Sequence, residues 1–203
     1  MSITVQTILD NSLCPGVIGY PFINPGPIGG SPISELGTEP SKELFIRWWQ
    51  LATFLPQIHF LTPPSQYQDQ FTKLLEMKLR NIRQTVVNPL LKKFAREAME
   101  QSLPLIRPLW MLHPTDENCL TINDQFMVGD SLLVAPVLKA GSNTRRVYLP
   151  PAPDGSEIIW KQEDGTFYSG GQWRDVLVPL DRILWFSRQA DGARPGSGAK
   201  HLL

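Results

Sequence analysis

The chain has 203 residues and 19 Lys+Arg against 19 Asp+Glu, a formal net charge of zero. That balance argues against nucleic acid as a partner, because backbone binding needs a basic excess or stripe to neutralise phosphates. With 42% hydrophobic and 19% charged residues the composition excludes wholesale disorder, and no run approaches the ~20 apolar residues of a membrane-spanning helix.

Residues 1–20 carry Asp10 and lack a positive segment, so they do not read as a secretory signal. Cys14 and Cys119 are too few and too far apart for a disulfide scaffold or a zinc knuckle, and read as a chance pair of buried thiols. The 19 prolines are nearly twice the average share of ~5%. With the tryptophans they mark a loop-rich chain without choosing its chemistry.

In chain order, residues 2–12 predict a short helix, with Val5, Ile8 and Leu9 at helical spacing. The run 17–23, rich in β-formers, predicts a buried parallel strand, with Pro21 either ending regular pairing near Tyr20 or marking a bulge there. Residues 24–40 hold four prolines and four glycines and read as a loop. Ser41 then caps a helix to about Phe54 that is apolar almost all round, with Pro56 beyond it. Ser65 and Gln68 form a capping box. Phe71, Leu75, Leu79, Ile82, Val86 and Leu90 then recur at spacings of three and four, opposite Lys73, Glu76, Lys78, Arg80 and Arg83. Pro89 must kink or restart this helix, which resumes to about Leu103. Residues 105–112 are the next strand candidate, so this half reads as one oversized βαβ unit.

From Asp124 the period changes. Short β-like runs at 126–128, 132–135, 146–149, 158–160, 176–178 and 183–186 are separated by turn residues such as Asp164-Gly165 and Gly170-Gly171. That spacing predicts an antiparallel β-sandwich. Residues 189–203 are poor in apolar side chains and read as a disordered tail.

Three stretches carry a resemblance. The first is Arg107-Pro108-Leu109-Trp110 with Pro114 and Asp116, running on through Asp124 to Val137. The second is Gly165, Tyr168, Gly170-Gly171 and Val178 to Ile183. The third is Gly19-Tyr20-Pro21-Phe22, Ile28-Gly29-Gly30, Ile46-Arg47-Trp48, Phe54, Pro56, Phe60, Pro63-Pro64 and Tyr67. Together they resemble the family 31 glycoside hydrolases, retaining α-glycosidases that include α-glucosidases and α-xylosidases, and the third set is similar to an animal branch of that family.

The resemblance implies an α/β plus all-β chain: the last two βα units of a (β/α)8 TIM barrel followed by an antiparallel β-sandwich domain. Residues 1–118 would hold barrel strands seven (17–22) and eight (105–111), residues 119–188 the sandwich, and 189–203 the tail. Two of eight strands leave an unpaired edge, so the chain is expected to be a fragment or truncated product, its start at Met1 falling within the helix before strand seven. By the same reasoning, residues 119–188 are expected to fold alone and 1–118 to need a partner, either the missing part of the barrel or a second copy.

Retaining glycosidases work with two carboxylates roughly 5 Å apart. The family's nucleophile stretch (Trp-x-Asp-Met-Asn-Glu) and acid/base stretch (Trp-x-Gly-Asp) do not occur here, so no catalytic residue, metal ligand or cofactor is implied within the chain. Substrate-binding candidates are Asn24, His59 and Trp49. Gly26 or Pro27 stands where the family carries a loop aspartate, and Leu61 where it carries a histidine. His59 has two readings, an exposed loop histidine or a hydroxyl donor in a sugar pocket. Trp48 and Trp49 are a stacking platform or core packing, and their all-apolar helix favours the core. Asp130 and Asp181 read as turn or strand-end hydrogen bonders, and Arg107 as the partner of a carboxylate or backbone carbonyls. Two functions follow: part of an α-glycosidase acting on terminal α-linked carbohydrate, or an inactive glycosidase-like binding or regulatory protein.

Overall fold

A computed structural model of the chain describes residues 4–30, 40–67, 69–154 and 156–189. The expected tail from 190 onward, positions 31–39 of the expected loop, and Gln68 of the capping box lie outside the described residues.

The first helix, α1 (Val5–Val17), lies later than the sequence pattern suggests. Thr4 caps it, its Oγ1 accepting from the Thr7 amide at 3.2 Å. Pro15 sits inside it. The carbonyl it leaves without a donor is that of exposed Asn11, which water can satisfy. Gly16 allows the helix to press on Pro104, where a β-carbon would lie 2.9 Å from the proline Cβ.

The expected strand at 17–23 does not form. Val17 ends α1, Gly19 turns with φ of 101°, and Ile18, Tyr20 and Phe22 are exposed. The physical reason is a missing neighbour. Of the expected eighth strand only β1 (Ile106–Pro108) is extended, and it pairs antiparallel with β2 (Phe126–Val128). Residues Leu109–Leu112 coil into a short helix, α5. Without a parallel partner, and with Pro21 unable to donate, the apolar run gains nothing from extension. The βαβ reading is corrected accordingly.

Helix α2 (Lys42–Ala52) matches its expected position, Ser41 Oγ accepting from the Leu44 amide at 3.2 Å. Every residue from Phe45 to Ala52 is buried, which places this helix in the middle of the helical layer. A single 3-10 turn at Pro64–Tyr67 precedes α3 (Gln70–Ile82), whose cap is Asp69 rather than Ser65. Asp69 Oδ1 accepts from the Thr72 amide at 2.7 Å. Pro89 has the predicted effect by a specific route. Arg83–Val87 widen into a π-helical turn, the Asn88 amide reaching back to the Arg83 carbonyl, and α4 (Asn88–Gln101) starts around the proline. Ser102, at φ of 59°, ends α4.

The β region is built on a six-stranded antiparallel sheet of order β1-β2-β3-β8-β5-β6, with β3 Leu132–Val134, β5 Ile159–Gln162, β6 Phe167–Ser169 and β8 Trp185–Arg188. A two-stranded sheet of β4 (Thr144–Leu149) and β7 (Gln172–Leu177) covers part of it, giving the sandwich. Helix α6 (Glu117–Thr121) is capped by Asp116. The structure buries Cys119 but leaves Cys14 exposed. Alternation along the strands splits the core in two. Phe126, Val128, Leu132 and Val134 face the helices, with Ile106 beside them. Met127, Leu133, Trp160 and Phe186 face β4 and β7. The register agrees, pairing Phe126 with Val134 and Met127 with Leu133. A division at 118/119 therefore falls between two paired strands, β1 and β2.

Two polar side chains tie these layers. Gln125, fully buried, substitutes for a strand neighbour of β4: its amide donates to the Tyr148 carbonyl and its carbonyl accepts from the Tyr148 amide, both at 2.9 Å. Arg47, 5% exposed, leaves α2 for the sandwich, donating to the carbonyls of Ser142 at 3.1 Å and Val178 at 3.2 Å and to Gln50 Oε1 at 3.2 Å. Burial lowers its pKa, which Glu43 and Asp181 partly offset. Arg107 has its expected partners, the Pro104 carbonyl at 2.8 Å and Glu97 at 2.6 Å.

Candidate functional site

The loop that opens at Asn24 is tied to the segment after α2 by a parallel bridge between Ile28 and Phe60. The Ile28 amide donates to the His59 carbonyl at 2.7 Å, and the Leu61 amide returns to the Ile28 carbonyl at 3.0 Å. Gly29, at φ of 100°, packs so closely on Thr62 that a side chain would overlap it. The 24–30 and 58–62 segments are thereby held side by side.

Beside them a cleft of about 370 Å³ opens between α2 and α3. Its apolar wall is Trp49, Ile58, Phe60 and Pro64, and its polar wall includes Glu76, Arg80 and Arg83. Trp49 is 5% exposed, edge-on to Phe60 with ring centroids 5.2 Å apart and to Phe45 at 5.9 Å. The indole is thus core packing that also forms one cleft wall. His59 does not line the cleft. It lies between two residues that do, and it is exposed, as the alternation of an extended segment requires. Asn24 is exposed as well, its Oδ1 accepting from the Gly26 amide at 3.0 Å. The structure thus brings the loops of Asn24 and His59 together by backbone pairing, with Trp49 behind Phe60.

Gly26, which with Pro27 is one of the two positions where the resemblance would put an aspartate, has φ of 93°, a conformation that favours glycine. Within the cleft lining, Glu76 is the one carboxylate, and it pairs with Arg80 at 2.9 Å. Retaining hydrolysis needs two carboxylates facing one bond, so this cleft can bind but cannot by itself carry that chemistry. Among the described residues no group of three or more His, Cys, Asp or Glu is placed to hold a metal.

Sequence reasoning missed Arg83, assigned there to a solvated helix face. Its guanidinium turns inward from the π-helical turn to the carbonyls of Thr53, Leu55 and Pro56, closing the end of α2, and burial lowers its pKa. The available signal was Pro56, in the turn just beyond α2, where carbonyls outside the helix need donors.

A helix-backed antiparallel sheet faced by a smaller sheet, joined to a loop-and-helix layer with a cleft of small-molecule size, defines a helix-and-sandwich domain with a ligand-sized site. Residues 102–191 match the glycosyl hydrolase family 31 C-terminal domain, and the chain carries that C-terminal portion of the family. It is 38% identical over 193 residues to the SITS-binding protein of Tetronarce californica, and 35% identical over 191 residues to the myogenesis-regulating glycosidase of Mus musculus. These alignments cover 94% and 90% of this chain. The chain spans about a quarter of each relative's length, 26% in both cases. Among solved structures, a family 31 α-xylosidase from a soil metagenome, complexed with xylose, superposes with a TM-score of 0.76 at 28% identity, over 91% of this chain and 30% of that one. The animal branch resembled by residues 19–67 is thus the one represented by the myogenesis-regulating glycosidase.

Proposed function

We propose that the chain forms the end of the barrel and the adjoining sandwich of a retaining α-glycosidase that hydrolyses terminal α-linked sugars, with both catalytic carboxylates contributed by residues outside it. The observation that carries this reading is the cleft beside Trp49 and Phe60, whose lining offers a single, paired carboxylate. The family match supports the reaction class, and relatives named as α-glucosidases support the linkage. Asn24 and His59, exposed on neighbouring loops, are the substrate-facing groups of the chain in this reading, with Trp49 as the wall behind them.

The surface left by residues 17–22 supports a partner. Val17 and Ile18 join Pro108 and Trp110 around an apolar groove of about 390 Å³, and Tyr20 and Phe22 stand exposed beside α1. The remaining barrel residues would bury this rim. The test has two parts. The 203-residue chain should show no turnover of aryl α-glycosides, and the transcript read upstream should encode both carboxylate stretches. Turnover by the isolated chain after stringent purification, or a continuous upstream frame lacking either stretch, would refute the reading.

A second reading, a glycosidase-like binding or regulatory protein, is favoured by Gly26 in a conformation that favours glycine and by Leu61 in place of a histidine. One relative is itself named for binding, the SITS-binding protein. An intact carboxylate pair upstream would weigh against it.

A further inference from the structure

A second, smaller cleft opens on the sandwich where the end of α5, the β2–β3 turn and strands β5 and β8 meet. It encloses about 190 Å³. Leu112, Pro153, Ile158 and Trp160 form its apolar side, and His113, Asp130 and Arg188 its polar side.

Backbone hydrogen bonds anchor His113 and Arg188 at the cleft, and the polar side chains are only partly used. His113 is 5% exposed, and its backbone is pinned at the end of α5, the amide donating to Leu109 at 3.0 Å and the carbonyl accepting from Asp116 at 3.2 Å. Its Nδ1 is nevertheless buried without a hydrogen-bond partner among the described residues. Such a group is costly unless something supplies the bond. Burial lowers the pKa of His113, which keeps the ring neutral, one nitrogen donating and the other accepting. Asp130, in the β2–β3 turn, accepts from Ser131 Oγ at 2.6 Å. The Arg188 amide is fixed to the Ser131 carbonyl at 2.8 Å. Although Asp130 and Arg188 line one small cleft, no ion pair joins them among the described residues.

The charges decide the ligand class. Asp130 disfavours an anion and Arg188 disfavours a cation. A neutral molecule bearing adjacent hydroxyls satisfies both, donating to the carboxylate and accepting from the guanidinium, while the imidazole takes either role. The apolar side suits the C–H face of a ring. The volume lies below the ~300 Å³ at which pockets for drug-sized ligands begin, so it admits one ring and not a chain.

We propose that the cleft formed by His113, Asp130, Arg188 and Trp160 binds a single neutral sugar ring. The proposal stands on this cleft alone and does not rest on the glycosidase reading. The full chain is titrated with glucose, galactose and xylose, and separately with inorganic phosphate, following the His113 imidazole and Trp160 indole signals by NMR. At least one sugar should saturate those signals, and phosphate should not. Arg188→Met and Asp130→Asn should each weaken the sugar by roughly 10-fold or more while leaving thermal melting unchanged, since neither side chain is buried. Failure of all three sugars to saturate, tighter binding of phosphate than of any sugar, or affinity unchanged in both variants would overturn the proposal.

Discussion

Replacing Arg47 with methionine keeps most of the side chain's aliphatic bulk and deletes its hydrogen bonds, so it isolates the polar contribution. Two of the five acceptors, the carbonyls of Pro179 and Arg182, lie at 3.5 Å, the edge of hydrogen bonding, and are discounted. Gln50 keeps a second bond, donating to the Leu180 carbonyl at 2.6 Å. The loss therefore falls on the Ser142 and Val178 carbonyls, which Arg47 alone is seen to satisfy. A buried acceptor left without a partner costs about 1–3 kcal/mol; the Val178 carbonyl bears that in full and the part-buried Ser142 carbonyl less, for about 2–5 kcal/mol together. Against this stands the desolvation of the guanidinium, the leading cause of its lowered pKa, which the substitution relieves. The net expectation is a loss of about 3 kcal/mol. With an m-value of about 2–3 kcal/mol/M for a chain of this size, the urea midpoint should fall by about 1–1.5 M. Tryptophan fluorescence and far-UV circular dichroism should report the same transition. Arg47→Lys, which retains a charge but not the forked geometry, should lose about half as much. A methionine variant within ~0.5 kcal/mol of the parent would refute the idea that this arginine bolts α2 to the sandwich.

Gly129→Ala should be severely destabilising, by ~3 kcal/mol or more, because its β-carbon would overlap the Phe94 ring and its φ is 57°; thermal melting checks this. In the native chain a thiol reagent near pH 8 should modify exposed Cys14 and spare Cys119, which is buried with its pKa pushed up to about 12; reaction of both without denaturant would contradict the packing beneath α6. His113 has a lowered pKa in the fold, so the unfolded chain binds the extra proton first. Stability should fall as pH drops below the unfolded value of about 6.5, and His113→Phe should flatten that slope in urea titrations. Residues 119–189 produced alone lack β1 and expose Phe126, Val128, Leu132 and Val134. They should bind a hydrophobic dye and unfold without a sharp transition, and a cooperative, dye-silent monomer would count against that.

Where structure is set by neighbours in sequence, the sequence was readable. Ser41 as a cap, Pro89 as an interruption, and Asp164-Gly165 and Gly170-Gly171 as turns all act within a few residues, and all are in place. The run at 17–23 was misleading because apolar β-formers extend only against a partner strand, and that requirement is not encoded locally. Helices α5 and α6 span four and five residues, too few to show a period. At the candidate site, burial of Trp49 follows from a helix apolar on every side. The outward turn of His59 depends on the bridge from Ile28, a residue far from it in sequence. Arg47 left a clue that went unused: a cation flanked by Ile46, Trp48 and Trp49 in a mostly apolar helix needs acceptors, and they lie on the sandwich.

The sheet that separates the two cores serves both at once. A slip of one residue in β2 would exchange Phe126 and Val128 for Met127 on the helix side and force two large side chains into the space now filled by one. Neither core can be re-optimised without disturbing its neighbour, so drift on one side must be answered on the other. Strands β2 and β3 are accordingly the region where paired substitutions should compensate across a single backbone, and where exchanging the sandwich alone for that of another protein should meet the greatest resistance.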